Sequence, residues 1–419
     1  MIIVSTSVIG SNSPANCHKK ACYALQWRPT KKVKGQILRL KNCYKTEDFR
    51  QLAKRRLPSP IFHYIDGGAD DEVTLRRNSE SFDTCDLVPN VLAGHDKIDT
   101  TVEVLGQRLS FPLFMSPTAM QRLFHHEGER ALAKAADKLG TMFGVSTIGT
   151  LSIEELGAFT DAPKFFQIYV HHDPAMTIDL INRCKEAKFD ALALTVDAIV
   201  AGNRERDYVT GMTTPPKLTP RSLLSFAVHW NWTFNYLLRD RFELPNIERY
   251  LKEGSAAHSS VLQYLDTYLK RSIDWDDAAQ MIEEWGGPFA IKGVMSVDDA
   301  RRSVEIGATA IMISNHGGRQ LDGSRSPFDQ LDEIVDAVGG QIEIILDGGV
   351  RRGTHVLKAL AKGATACSGG RLYLYALAAG GSAGVERAMS LLKAEVERDM
   401  ILMGCRSLSE LKPSMLVSR

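Results

Sequence analysis

The feature that most narrows the fold is a rhythm of eight short apolar runs between Leu113 and Gly370. They fall at Leu113–Ala119, Met142–Thr147, Phe165–Val170, Ala191–Asp197, Phe289–Val294, Ala310–His316, Ile342–Gly348 and Ala364–Gly370. Apolar runs of this length, without alternation, read as strands covered on both faces. Helical patterns separate most of them, as at Gly128–Leu139, Met176–Ala187, Val297–Gly307 and Thr354–Ala361. Eight buried strands alternating with helices are what a (β/α)8 TIM barrel requires. An open doubly wound sheet seldom needs eight such units, and the Gly-x-Gly-x-x-Gly turn that would follow its first strand is missing from the sequence. An N-terminal helical and hairpin segment precedes the barrel. Thr46 reads as the cap of a helix carrying Phe49, Leu52 and Ala53 on one face, and a second short helix after Pro60 ends in Tyr64-Ile65-Asp66-Gly67-Gly68. Thr101–Ser110 alternates around a Gly-Gln turn, which signals a hairpin.

A chain of 419 residues that is 44% hydrophobic and 24% charged can fill a large core, and its net charge of +1 argues against a nucleic-acid partner held by bulk charge. The seven cysteines are scattered without a Cys-x-x-Cys pair, which fits free thiols in a reducing, cytoplasmic setting rather than disulfides or zinc. Histidines are dispersed too, so no metal site is expected. Residues 1–44 differ from the rest: no acidic residue precedes Glu47, whereas lysine and arginine recur. This stretch reads as a targeting peptide, a disordered tail or an over-long start, and the domain proper as 45–419. One spacing is anomalous. About 90 residues separate Asp197 from Phe289, far beyond an ordinary connection, which implies an insertion at about 205–285. Within it Leu223–Leu238 is rich in aromatics and flanked by Lys217, Arg221, Arg239 and Arg241. It is too short and polar to span a bilayer. Two readings stand: a helix lying at a membrane interface (peripherally, at the inner membrane), or an insertion packed on its own barrel or on a neighbouring subunit.

In a (β/α)8 barrel the active site lies at the C-terminal ends of the strands. Those ends carry Pro117-Thr118-Ala119, then Ser146, then Gln167 and Tyr169, then Thr195 and Asp197 with Arg204 soon after. The fifth strand contributes Lys292, the sixth Ser314 and His316 with Arg319, the seventh Asp347-Gly348-Gly349 and Arg351, and the eighth Gly370 and Arg371. Each has a structural explanation: Tyr169 as core, Asp197 as a helix cap, Lys292 as a surface charge, His316 and Arg319 as a solvated turn. Polar residues closing most of eight apolar strands are harder to dismiss. Histidine beside arginine suits an anionic substrate, since a guanidinium grips a carboxylate with two donors and an imidazole takes a proton near neutral pH. The last two strands are the usual phosphate site of this fold, and two Gly-Gly turns, each with an arginine, predict a phosphate-bearing cofactor there.

The segments Ser314-Asn315-His316-Gly317-Gly318-Arg319-Gln320-Leu321-Asp322, Leu346–Gly353, Phe166–Val170 and Leu194–Asp197 resemble the FMN-dependent α-hydroxy-acid oxidase/dehydrogenase family, which includes glycolate oxidase, lactate oxidase, L-lactate dehydrogenases and (S)-mandelate dehydrogenase. The resemblance runs from about Cys43 to near the C-terminus. It implies FMN as cofactor and oxidation of an L-2-hydroxy acid, lactate or one with a larger side chain, to the 2-oxo acid. Electrons would pass to a quinone or cytochrome-type acceptor; the alternative is an oxidase that uses O2 and makes H2O2. By the same resemblance His316 is the active-site base and Asp197 its carboxylate partner. Arg204, Arg319 and Tyr64 bind the substrate carboxylate, and Tyr169 faces its hydroxyl. Lys292 stands beside the flavin ring, Ser146, Gln167 and Thr195 bond it, Asp347 meets the ribityl chain, and Arg351, Gly370 and Arg371 hold the phosphate. A homo-tetramer is the family habit. The proton leaves either Cα or the hydroxyl. Ile148 stands where glycolate-oxidase-like members have tryptophan, which implies room for a bulkier side chain. Ala198-Ile199-Val200 replaces Thr-Pro-Arg at one pocket wall, and the eighth strand, Cys367-Ser368-Gly369, is less apolar than usual for the family.

Overall fold

The computed structural model describes residues 38–94, 97–212, 217–239, 242–250 and 267–419. Residues 1–37 of the expected extension therefore lie outside the described residues. Short strands come first: β1 (Cys85–Leu87), then the hairpin β2 (Val102–Val104) and β3 (Gln107–Leu109). Eight parallel strands follow, β4 (Leu113–Met115), β5 (Phe143–Ser146), β6 (Lys164–Ile168), β7 (Ala191–Thr195), β8 (Phe289–Val294), β9 (Ala310–Ile313), β10 (Glu343–Asp347) and β11 (Ala366–Gly369). They close into a barrel when β11 pairs β4, Cys367 opposite Leu113 and Gly369 opposite Met115. A last strand, β12 (Leu416–Ser418), returns to pair antiparallel with β1.

The two faces of these strands do different work. Leu192 and Leu194 of β7, Ile291 of β8, Ile311 and Ile313 of β9 and Leu346 of β10 join the outer core beneath the helices. The alternate residues Phe114, Phe165, Ala193, Ala290, Met312, Ile345 and Ala366 fill the barrel interior together with Val104, Leu105 and Leu109 of the hairpin. Small alanines facing large Phe and Met side chains make a solid plug rather than a pore. The hairpin closes the N-terminal end, where the Leu105 N–H donates to the Glu343 carboxylate at 2.8 Å. At the other end Gly349 (φ +74°) passes so close to Asn78 that a Cβ would lie 1.7 Å from the Asn78 carbonyl oxygen, a placement only glycine permits.

Two local expectations change. Lys45, not Thr46, is the residue before the first helix, Thr46–Arg56. The Asp48 carboxylate caps it by accepting from the N–H groups of Tyr44 and Lys45, while the Thr46 hydroxyl donates to the Arg351 carbonyl, 305 residues away. The polar character of β11 also has a cause: Ser368 faces inward to donate to Asp347 at 2.8 Å, whereas Cys367 packs in the outer core.

Between β7 and β8 the described residues form helices Glu205–Thr210, Pro220–Val228, Trp230–Leu238 and Pro245–Glu248, then Trp275–Trp285. The last packs against Pro174–Glu186 as a regular outer helix of the barrel, so the expected span 205–285 includes one element that is not insertion. The inserted helices are tied down on one side only. Trp232 donates its indole N–H to the Leu123 carbonyl at 2.8 Å, and Ser225 accepts from the Ser59 N–H at 2.8 Å. On the other side Leu223, Leu224, Val228, Trp230, Phe234, Leu237 and Leu238 are exposed, Leu238 to 76%.

Candidate active site

Strand periodicity builds the floor of the site. Two residues beyond each inward-facing core residue lies another on the same face. Phe114 is thus followed by Ser116, Phe165 by Gln167, Ala193 by Thr195, Ala290 by Lys292, Met312 by Ser314, Ile345 by Asp347 and Ala366 by Ser368. The inner face switches from apolar to polar at one level of the barrel, and a cavity of about 380 Å³ opens above it. Its lining includes Tyr64, Pro117, Thr118, Ala119, Ser146, Gln167, Tyr169, Thr195, Arg204, Lys292, His316, Arg319, Asp347, Gly348, Gly349, Arg351, Gly370 and Arg371. Asp197 and Ser314 stand behind that lining, each bonded to a member of it. All of the candidate residues thus converge.

At the centre of the floor Lys292 meets Asp347 at 2.8 Å, with both side chains almost fully buried. Ser314 accepts from Lys292 at 3.0 Å and donates to Asp347 at 2.9 Å, and Ser116 and Ser368 also donate to Asp347. Burial alone would raise the Asp347 carboxyl, but the adjacent ammonium holds it down, to about 2. Burial likewise opposes the charge on Lys292, yet Asp347 and then Asp197 keep its pKa above the usual lysine value. The result is a fixed positive group facing the cavity.

On one side of the floor His316 Nδ1 lies 2.9 Å from Asp197 Oδ1, a pairing of residues 119 positions apart. His316 adopts a left-handed backbone (φ +57°), a strain of order 1 kcal/mol in a non-glycine residue, and its N–H is held by Ser314 Oγ at 3.2 Å. Space for Asp197 comes from Gly293 on β8 (φ +112°), where a Cβ would sit 2.7 Å from the Asp197 side chain. Burial would raise the Asp197 carboxyl, but His316 and Lys292 hold it below the ordinary range. An imidazole whose Nδ1–H is engaged this way presents Nε2 as its free base, and a proton accepted there is stabilised by the carboxylate.

Arg319 and Arg204 complete this side. Arg319 donates to the carbonyls of Tyr64 (2.6 Å) and Gly67 (3.1 Å), and burial, then the nearby Arg204, pulls it down to about 10. Arg204 pairs with Asp207 at 2.8 Å, and both guanidiniums lie against the Tyr64 ring, 5.0 Å for Arg319 and 5.5 Å for Arg204. Arg204 is paired with a carboxylate but Arg319 is bonded only to carbonyls, which leaves an excess positive charge that favours an anion. Tyr169 remains a neutral phenol, raised by burial and by Asp197.

The opposite side fits a phosphate and a flat polar ring. Arg351 and Arg371 form no ion pair among the described residues. Arg371 instead donates to the carbonyls of Ile65, Gly67 and Gly317, and Arg351 to that of Val350. Burial lowers both. Desolvated guanidiniums satisfied only by carbonyls make a favourable anion site. In the floor the amide nitrogen of Gln167 and the hydroxyl of Thr195, both buried, find no partner among the described residues. Since buried polar groups are nearly always bonded, their partners belong to a ligand lying across the floor. The residues present therefore fit FMN.

Sequence reasoning missed several groups. Ser116 and Ser368, which tether Asp347, were within reach of the period-two pattern from Phe114 and Ala366. Gln320, which donates to the carbonyls of Asp197 (3.1 Å) and Val200 (2.8 Å), gave no local signal. Nor did the part of the apolar roof that the insertion supplies, Met212, Tyr236, Phe242 and Leu244, which joins Leu123, Phe124 and the expected pocket residues Ile148, Ala198 and Val200 over the cavity.

The FMN-dependent dehydrogenase family model matches residues 53–418. The chain is 40% identical to an L-lactate oxidase of Nostoc sp. over 88% of this chain and 96% of that protein. It is 38% identical to an L-lactate dehydrogenase of Alcaligenes faecalis over 88% and 97% of the two chains. Among solved structures, that of a monotopic membrane (S)-mandelate dehydrogenase superposes with a TM-score of 0.86 at 32% identity, covering 90% of this chain and all of the other. With a closed eight-stranded barrel, a polar floor made from its strand ends, and a match that spans nearly the whole barrel, the chain belongs to the FMN-dependent dehydrogenase family.

Proposed function

We propose that this protein uses FMN to oxidise an L-2-hydroxy acid to the 2-oxo acid, with His316 as the base. The observation that carries the reading is the 2.9 Å His316–Asp197 pair on the same cavity as Arg319, Arg204 and the Lys292 floor. FMN, when bound, supplies the two-electron acceptor. Gln167, Thr195 and Ser146 would bond its ring, Lys292 would offset negative charge on that ring, Asp347 and Ser314 would hold Lys292 in place, and Arg351 and Arg371 with the Gly348-Gly349 and Gly370 turns would hold its phosphate. Pro117, Thr118 and Ala119 would line the wall beside it. Arg319 and Arg204, with the Tyr64 hydroxyl, bind the substrate carboxylate, and Tyr169 faces its hydroxyl. His316 takes up the proton the substrate loses, and Asp197 stabilises the imidazolium formed.

The roof selects the substrate side chain. Ile148, Ala198, Val200, Met212, Phe242 and Leu244 offer apolar surface and no charge, which suits an aromatic or branched 2-hydroxy acid better than glycolate. Mandelate and lactate are the substrates to compare. The acceptor is a quinone or cytochrome at a membrane that the enzyme touches peripherally. Support comes from the exposed apolar side chains of Pro220–Val228 and Trp230–Leu238, with Lys217, Arg221 and Arg239 at their margins. No described helix is long and apolar enough to cross a membrane. We take the homo-tetramer of the family as the assembly.

Mixing the FMN-loaded protein with (S)-mandelate or L-lactate in the absence of air tests the chemistry, because the yellow flavin absorbance must fall. Readmitting air tests the acceptor. Slow recovery of colour, accelerated by a quinone, is expected, whereas rapid recovery with stoichiometric hydrogen peroxide identifies an oxidase. Light scattering checks the tetramer.

A further inference from the structure

A second cavity, of about 440 Å³, lies between the insertion and the barrel and takes no part in the chemistry above. Four arginines line it: Arg55 and Arg56 from the last turn of Thr46–Arg56, Arg122 from the loop after β4, and Arg239 at the end of Trp230–Leu238. No acidic side chain among the described residues lines it. Arg55, Arg56 and Arg239 form no ion pair among the described residues, and Glu127, which neighbours His125 on the wall, is engaged by Ser382. Like charges gathered from separate elements repel one another, so an arrangement of this kind is relieved by a bound anion.

The geometry also bears on the class of anion. Trp230 and Trp232 line the same cavity, and the exposed apolar side chains Leu224, Val228, Leu237 and Leu238 belong to the two helices that supply its outer wall. A ligand with a charged end and an apolar body would satisfy both surfaces at once, the anionic part among the arginines and the chains against the helices. A free anion would use only the first surface, and a neutral lipid only the second.

We propose that this second cavity binds the phosphate-bearing head group of an anionic phospholipid. The proposal rests on the membrane-facing reading of the insertion given above, but its test separates the two. Dihexanoyl-phosphatidylglycerol, kept below its micelle concentration, would be titrated into the FMN-loaded protein and followed by tryptophan fluorescence and calorimetry. Saturable binding is expected, weakened at least tenfold in the Arg56→Gln/Arg239→Gln variant and unchanged in Arg108→Gln, which sits on the hairpin at the far end of the barrel. Retained flavin absorbance and circular dichroism show that the variants are folded. Equal binding by the Arg56→Gln/Arg239→Gln variant overturns the site. Equally tight binding of glycerol 3-phosphate makes it a free-phosphate site, and equally tight binding of dihexanoyl-phosphatidylcholine removes the role of charge; either result overturns the lipid assignment. Flotation with phosphatidylglycerol vesicles is scored separately. Binding of the short-chain lipid without flotation rejects the membrane reading and keeps the cavity, whereas flotation that the arginine substitutions leave intact rejects the cavity alone.

Discussion

The barrel floor and the inserted roof enclose the same cavity but are built on opposite principles. On the floor, Lys292, Asp347, Ser116, Ser314 and Ser368 are buried, bonded to one another and fixed by strands whose registers are set by pairing on both sides. In the roof, Tyr236 reaches the cavity from the helix Trp230–Leu238, packed on one side and open on the other, and Phe242 and Leu244 reach it from the irregular segment before Pro245–Glu248. The contrast teaches a division of labour: groups that must hold a proton or a charge within hydrogen-bond distance sit on rigid strand ends, whereas the proposed contacts with the substrate side chain and the membrane fall on the inserted element.

If that division is right, substitutions on the floor should be severe and those in the roof mild. Replacing His316 with Ala should slow anaerobic flavin reduction by roughly 10²–10⁴-fold while FMN stays bound, as followed by stopped-flow absorbance. Lys292→Met leaves Asp347 as an uncompensated buried charge and should destabilise the fold by about 3–5 kcal/mol in a denaturant titration. Arg319→Met removes charged hydrogen bonds worth about 1.5–3 kcal/mol, so kcat/KM for the hydroxy acid should fall roughly 10- to 150-fold; an unchanged value would take Arg319 out of the substrate site.

The acid limb of stability sharpens the same comparison. Asp347 is held down to about 2 in the folded protein, below the ordinary carboxylate value of about 4. A group lowered by folding contributes stability that is complete above its unfolded pKa and disappears as pH falls through the folded one. Stability should therefore hold down to about pH 4 and decline between about 4 and 2, and Asp347→Asn should flatten that segment in chemical denaturation measured against pH. Smallest of all, Leu237→Gln/Leu238→Gln in the exposed roof should shift stability by less than about 0.5 kcal/mol while reducing vesicle flotation. A large loss of stability would mean that this face is packed rather than open.

The same division explains what could be read from sequence. Most of the polar residues around the cavity close an apolar run, and the length and composition of such a run are local properties, so the barrel and its convergent set from Pro117 to Arg371 are legible without knowing which strands pair. His316 and Asp197 lie 119 positions apart, yet each follows closely on the end of its own strand, and closure of the barrel brings them together. The roof obeys no such rule. Nothing local says that Phe242 or Leu244 turns back over the cavity, because that depends on how short helices settle on a surface made by distant loops. The Thr46 hydroxyl fails for a related reason: its partner, the Arg351 carbonyl, exists only in the folded protein.

The most direct test of the central claim is anaerobic stopped-flow mixing of the FMN-loaded protein with the (S) and (R) forms of mandelate and lactate, in the natural protein and in His316→Ala. Rapid loss of the oxidised flavin absorbance with an (S) substrate is expected, with none from its mirror image and almost none in the variant. Equal bleaching by the variant, or no bleaching with any of the four acids, would contradict the account.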